Sequence, residues 1–236
     1  MTYKSSITIS VVSHNNINEV IEFLSSLKDI DNEFIVLIII TLNTYEDEKK
    51  IHLNKYPFKI KLIKNKLRKG FGANHNTAFK YCCSKYFLVI NPDIIFPKNF
   101  SFYKMLQKII SQKASVIAPL IITNGIKVPP RKFPTIKNLF FYKYFLNDLK
   151  NDFWISGCFM LFDADSYKLL NGFDERFFLY MEDVDICKRT INLEKKITID
   201  NGNYIIHKAR RMSYQHPVYL SYHILSIIKY YLKHLF

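Results

Sequence analysis

The feature that most limits what this chain can fold into is an alternation. Short apolar runs, ITISVVSH (7–14), FIVLIIITL (34–42), YPFKIKLIKN (56–65), KYFLVINPD (85–93) and SVIAPLII (115–122), are separated by stretches with helical spacing. NNINEVIEFLSSL (15–27) places Val20, Phe23, Leu24 and Leu27 on one helical face, and 70–84 and 99–112 read as further helices. The run at 34–42 is too short to cross a bilayer and suits a buried strand. Strands alternating with helices predict an α/β fold, Rossmann-like, with a mostly parallel sheet flanked by helices. At 236 residues, without internal repeats, the chain reads as a single domain with a substantial core.

In such sheets the ligand sits beyond the carboxyl ends of the strands. The polar loops that gather there are SHNN (13–16), NTYED (43–47), NKLRKGFGANHN (65–76) and NPD (91–93). The proline- and aromatic-rich stretch 129–154 breaks the alternation and reads as an excursion over the site. The net charge of +14 suits phosphate-bearing or anionic partners. It does not point to nucleic acid, because no DNA- or RNA-binding motif is present. A dinucleotide-dependent oxidoreductase is excluded by the lack of any glycine in VVSHNN after the first strand. Cys82, Cys83, Cys158 and Cys187 have neither C-x-x-C nor zinc spacing and read as reduced thiols of a cytoplasmic protein. The N-terminus shows no signal-peptide pattern.

Several groups carry candidate chemistry. Asn91-Pro92-Asp93 ends an apolar strand; turn chemistry explains all three residues, and the other use is as a place for Asp93 to hold Mg2+ or Mn2+ beside substrate phosphates. In RKGFGANHN (68–76) two glycines lead into a helix, so backbone N–H groups can approach a phosphate while Arg68 and Lys69 add charge. FFLYMEDVDICKR (177–189) crowds Glu182, Asp183 and Asp185 behind aromatic residues. Acids in a first helical turn cap free N–H groups. At about 100° per residue, however, Glu182 and Asp185 share a side while Asp183 points elsewhere. Separate tasks follow, and one acid can act as a general base. His207 ends an apolar run and is either a satisfied structural histidine or a metal ligand; Arg210, Arg211 and Ser213 after it can meet a diphosphate.

Taken in order, VVSHNN, KGFGANHN, INPDI, SGCFML, GFDERFFLYMEDVDICKR and a late histidine resemble the inverting family 2 glycosyltransferases. The likeness is greatest to the bacterial rhamnosyltransferase-like branch that builds surface polysaccharide such as O-antigen or capsule. It spans essentially the whole chain and implies a GT-A fold. Residues 1–125 would form the nucleotide-sugar half and 126–236 the acceptor-binding and catalytic half. By the same resemblance Asp93 matches the metal-binding aspartate, with His207 approaching the metal-diphosphate. Asp183 matches the catalytic base, with Glu182 and Asp185 beside it. The donor set comprises Ser13, Asn43, Arg68, Lys69, Gly70, Gly72, Asn74, Asn76, Asn91 and Arg176. Relatives carry D-N-x-S after the second strand, where this chain has Leu42-Asn43-Thr44-Tyr45, so Asp47 or a residue near Ser13 is expected to meet the base instead. The implied donor is dTDP-L-rhamnose, with UDP-hexose or UDP-N-acetylhexosamine as alternatives. The implied acceptor is a lipid-linked or growing glycan.

A lipid-linked acceptor implies a peripheral protein at the cytoplasmic face of the inner membrane. At the C-terminus, Leu220, Ile224, Ile227, Ile228, Tyr231 and Leu235 recur at helical spacing. That stripe is expected to pack on the chain's own domain, a lipid interface being the other use for it.

Overall fold

Strand β1 (Ile7–Ser13) is buried on both faces, with Ile7, Ile9 and Val11 on one side and Thr8 and Ser10 on the other. It pairs in parallel with β2 (Ile35–Leu42) and with β4 (Tyr86–Ile90), and β2 pairs in parallel with β3 (Ile60–Lys64). The computed structural model describes residues 6–135, 153–208 and 216–234. Most of the 129–154 excursion, together with Arg210, Arg211, Ser213 and Leu235, lies outside the described residues.

The remaining strands are β5 (Ile94–Ile95), β6 (Val116–Thr123), β7 (Ile126–Val128), β8 (Arg131–Lys132), β9 (Phe153–Trp154), β10 (Phe159–Asp163) and β11 (Ile197–His207). Among the described residues the main sheet runs β3-β2-β1-β4-β10-β6-β11-β5, with β7 on β6, while β8 and β9 form a separate ribbon. The fold class is the expected α/β. The sheet is parallel from β3 to β4, and β10 then runs against both of its neighbours. This reversal matters for the site. It brings the start of β10 to the edge where β1, β2 and β4 end: Phe159 sits opposite Ile90, and Asn91 N–H donates to Cys158 O at 3.0 Å.

Helices α1 (Ile17–Ser26), α2 (Phe71–Phe79) and α3 (Phe102–Ser111) lie close to their expected positions, although α2 is shorter than the 70–84 reading and β3 begins later than residue 56. Ser101 caps α3, and Asp31, from a distant loop, accepts from Phe102 N–H and Tyr103 N–H, so the free end of α3 is satisfied from two directions. Behind α2, Phe79, Phe87, Phe162, Phe173 and the first helical tyrosine of α4 (Ala164–Leu169), Tyr167, form an aromatic cluster with ring centroids 4.6–6.3 Å apart.

The last two helices are α5 (Glu182–Asn192) and α6 (Pro217–His234). The expectation for α6 holds for part of the stripe, since Ile227 and Tyr231 pack against the core. Leu220, Ile224 and Ile228 point outward, and the inner face carries Tyr222, His223, Ser226, Tyr230, Lys233 and His234. Ser226 Oγ donates to Leu179 O at 2.8 Å, and the Phe178 and Tyr222 rings pack at a tilt, centroids 4.9 Å apart. Lys233 and His234 reach the buried Asp185. A fully buried carboxylate is costly without cations, so the side of α6 that bears them turns inward.

Candidate functional site

A cavity of about 430 Å3 opens where β1, β2 and β4 end. Asn43, Arg68, Lys69, Asn74, Asn91 and Asp93 line it, with Phe178 and Tyr219 opposite. Two asparagines build its floor. Asn43 exchanges bonds with the Lys69 backbone, giving to its carbonyl and accepting from its N–H, both at 2.9 Å. Asn74 Nδ2 donates to Gly70 O at 2.9 Å, and Asn65 Nδ2 bridges Asn43 Oδ1 and Asn74 Oδ1. These side chains shape the loop; the cations that face the cavity are Arg68 and Lys69.

The glycines act differently from the phosphate cradle that the sequence suggests. A Cβ on Gly70 would sit 2.6 Å from Phe178 O, and one on Gly72 2.5 Å from Phe173 Cβ. Phe71 N–H is already given to Phe178 O at 2.8 Å. The two glycines let α2 seat against residues 173–178, which places the aromatic wall of the cavity.

Asp93 lies in the turn after β4. Its Oδ2 is 3.3 Å from His207 Nε2, and its Oδ1 is buried with no hydrogen-bond partner. Burial opposes a charge on His207, yet hydrogen bonds to Asp93 and Cys158 outweigh it and raise the imidazole to about 10. A buried carboxylate oxygen can only accept, so an orphaned one fits a cation or a donor brought by a ligand. Asn91 stands beside it on the same cavity. No cluster of three or more His, Cys, Asp or Glu suited to a metal occurs among the described residues, so a cation here would draw its other ligands from substrate and water.

Beyond this pair a smaller cavity, about 170 Å3, is lined by Arg131, Trp154, Ser156 and His207. The Arg131 guanidinium lies over the Trp154 ring at 5.3 Å. Next to Ser156, Gly157 N–H donates to Asp183 Oδ2 at 2.9 Å, and Val184 N–H donates to Asp183 Oδ1 at 2.8 Å. Burial raises the Asp183 carboxyl while these N–H groups and Arg131 pull it back. Glu182 is buried too; burial first, then the charge of Asp183, raises it well above the usual range, and its Oε2 has no partner. Both carboxyls are thus raised, and Asp183 is the one that Gly157 N–H and Val184 N–H favour in its charged form. Tyr180 and Met181, at φ 67° and 65°, make a strained left-handed turn into α5 that fixes where both acids point.

Other expected residues lie elsewhere. Asp185 is fully buried away from the cavity, 2.8 Å from Arg189 Nε, 2.6 Å from Lys233 Nζ and 2.8 Å from His234 Nε2. It anchors α6 to α5. Ser13 is buried and donates to Glu46 Oε2 at 2.8 Å, which also accepts from Ile17 N–H; Glu46 so ties the 43–47 loop to α1. Asp47 accepts from Lys49 N–H and caps the short turn after it. Asn76 faces away, its Oδ1 accepting from Tyr167 OH and Phe173 N–H. Arg176 is exposed and paired with Asp174. Sequence reasoning missed Glu46 and Trp154; the acid-rich NTYED loop gave a signal for the first and the chain's one tryptophan for the second.

A family model described as Glycosyl transferase family 2 matches residues 8–170. The chain belongs to this family. Rhamnosyltransferase WbbL of Escherichia coli (strain K12) is 29% identical over 143 residues, which is 51% of this chain and 53% of that protein. The chain thus aligns with about half the length of this curated relative. Among solved structures, the mannosyltransferase PcManGT from Pyrobaculum calidifontis, in complex with GDP-Man and Mn2+, superposes with a TM-score of 0.72 at 11% identity, covering 98% of this chain and 65% of that one. GalNAc-T7 with UDP, GalNAc and Mn2+ gives 0.68 at 13% identity, covering 88% and 44%. S. aureus TarS 1-349 in complex with UDP gives 0.66 at 16%, covering 94% and 65%. The GT-A glycosyltransferase fold is shared across all three.

Proposed function

We propose that this family 2 chain is an inverting glycosyltransferase that moves a sugar from a nucleotide-sugar donor to a lipid-linked or growing glycan. The donor is dTDP-L-rhamnose, a choice supported by the rhamnosyltransferase relative. The observation that carries the reading is the juxtaposition of two carboxylates on one sheet edge. Asp93 lines the larger cavity and has one buried, unpartnered oxygen, and Asp183 is held by Gly157 N–H next to Ser156 of the smaller one.

In this reading residues 1–125 hold the donor and 126–236 the acceptor. Arg68 and Lys69 meet the diphosphate, and the Trp154 face receives the acceptor sugar. Asp183 takes the proton of the acceptor hydroxyl as that oxygen bonds to the anomeric carbon. The bond from carbon to the diphosphate oxygen breaks, its electron pair leaving with the nucleoside diphosphate, and the configuration inverts. Asp93, with Asn91 alongside and His207 once it has lost its proton, would hold Mg2+ or Mn2+, which would neutralise charge on the leaving diphosphate. Mn2+ in the solved structures of PcManGT and GalNAc-T7 supports this cofactor. Because the acceptor is lipid-linked, the protein works at the cytoplasmic face of a membrane. No helix among the described residues is long and apolar enough to cross one.

The test is a thermal-shift screen with Mn2+ and dTDP-, UDP- and GDP-sugars on the wild type and Asp93→Ala, followed by product analysis. One nucleotide class should raise Tm in the wild type alone, and nucleoside diphosphate should be released. Release of pyrophosphate would identify a nucleotidyltransferase instead. No shift with any donor would remove the donor-site reading.

A further inference from the structure

Helix α6 is amphipathic with its sides exchanged. Its outward surface carries Val218, Leu220, Ile224, Leu225, Ile228 and Leu232, each between 47% and 64% exposed. At about 100° per residue these positions fall within one half of the helix circumference, interrupted by Ser221 and Lys229. The inner surface is built from aromatic and polar groups that wall the site. Tyr219 lines the larger cavity, Ser226 Oγ bonds to Leu179 O, and Lys233 and His234 clamp Asp185. Nothing within the described chain covers the aliphatic side.

From this arrangement we infer that the outward face of α6 docks on an anionic lipid surface. Charge favours that occupant. The chain carries +14, α6 contains no acidic residue, and Lys229 rises from the aliphatic face itself. Lys229 Nζ donates to the carbonyl of Arg176, which holds the ammonium at the border of this face. A basic protein with an aliphatic helix face meets both requirements of interfacial binding, apolar insertion and attraction to anionic headgroups. Size argues against a second copy of this chain. The helix is about 27 Å long and about 10 Å wide, a footprint near one third of the roughly 800 Å2 per partner that a stable interface needs. A bilayer has no such minimum.

The inference deepens the reading of a lipid-linked acceptor but is measured without donor or turnover, so the two can fail separately. With α6 lying on the membrane, the cavity it walls sits next to the lipid surface. An acceptor sugar on a lipid anchor could then reach Asp183 without leaving the bilayer.

The test is flotation of the full chain with vesicles of phosphatidylcholine plus phosphatidylglycerol, and with phosphatidylcholine alone. Wild type is compared with Leu225→Gln, Ile228→Gln and Leu232→Gln, singly and combined. Wild type should float with the anionic vesicles, and each substitution should lower its partition roughly tenfold without moving Tm. The single variants keep the test open where the triple variant fails to fold. Three results would overturn the inference: no flotation of wild type with anionic vesicles, flotation unchanged by all the substitutions, or a sedimentation-defined dimer without lipid that the substitutions dissolve. A donor-induced thermal shift that persists beside any of these would leave the transferase reading intact.

Discussion

Replacing Asp185 with asparagine separates an anchor from a catalyst. The carboxylate is fully buried and meets three basic groups, Arg189, Lys233 and His234. Asn keeps the shape and one acceptor but removes the charge. Removing one partner of a buried ion pair costs about 3–5 kcal/mol, because the other charge stays buried. Two facts here favour the lower end. Lys233 keeps Asp174 as a partner at 2.8 Å, and Arg189 keeps the carbonyls of Leu170 and Gly172. The expected loss is therefore about 3 kcal/mol, which for a chain of this size lowers Tm by roughly 6–12 °C. Urea and thermal unfolding give the magnitude, and transferase turnover per folded molecule gives the role. An anchor leaves kcat within about threefold. A variant with unchanged Tm and turnover reduced a hundredfold would refute the assignment and return Asp185 to the reacting centre.

Asp183→Asn should reduce turnover by about 10^2–10^4 while donor-induced stabilisation persists, since the residue meets the acceptor rather than the nucleotide; full turnover would refute its role as base. Gly72→Ala should destabilise by about 1–3 kcal/mol, because the new Cβ lies 2.5 Å from Phe173 Cβ, and urea unfolding checks it. His75 is buried against Ser10, 2.8 Å away, and burial lowers it from 6.5 to about 3, so the fold holds it neutral. Its contribution is fully present above pH 6.5 and is lost as pH falls toward 3, because the unfolded chain takes up the proton first. The slope it adds approaches about 1.4 kcal/mol per pH unit, and His75→Gln should flatten the pH dependence of stability across that window. An unchanged slope would show that other groups set it.

How far the sequence carried depends on what each residue's role required. Buried strands need only a run of apolar residues, so β1, β2 and β4 could be read within a residue or two. Pairing direction left no such mark: FMLFD reads as a strand whichever way it runs, and its antiparallel placement depends on the chain's long return from β6. Asn43 and Asn74, expected to bind the donor, line the cavity, yet whether an amide meets a ligand or a backbone depends on neighbours distant in sequence. Here they meet Lys69 and Gly70. For Gly70 and Gly72 the pattern was visible, but the atoms that demand glycine, Phe178 O and Phe173 Cβ, lie about a hundred residues further along.

The acid cluster of α5 shows the same limit at its sharpest, and links the site to the helix that covers it. Spacing put Glu182 and Asp185 on one side and suggested separate tasks, without saying which task fell to which. Their surroundings decide. Glu182 is buried with no partner for Oε2; Asp183 accepts from two backbone N–H donors; Asp185 meets three basic groups and binds α6. Asp183 and Asp185 are two positions apart on one helix, so α6 is tied to the helix that carries the base, while the Gly157 and Val184 N–H groups hold Asp183 itself. That coupling requires Lys233 and His234 to face inward, and with them turned in, the aliphatic half of α6 has only the outside left to occupy.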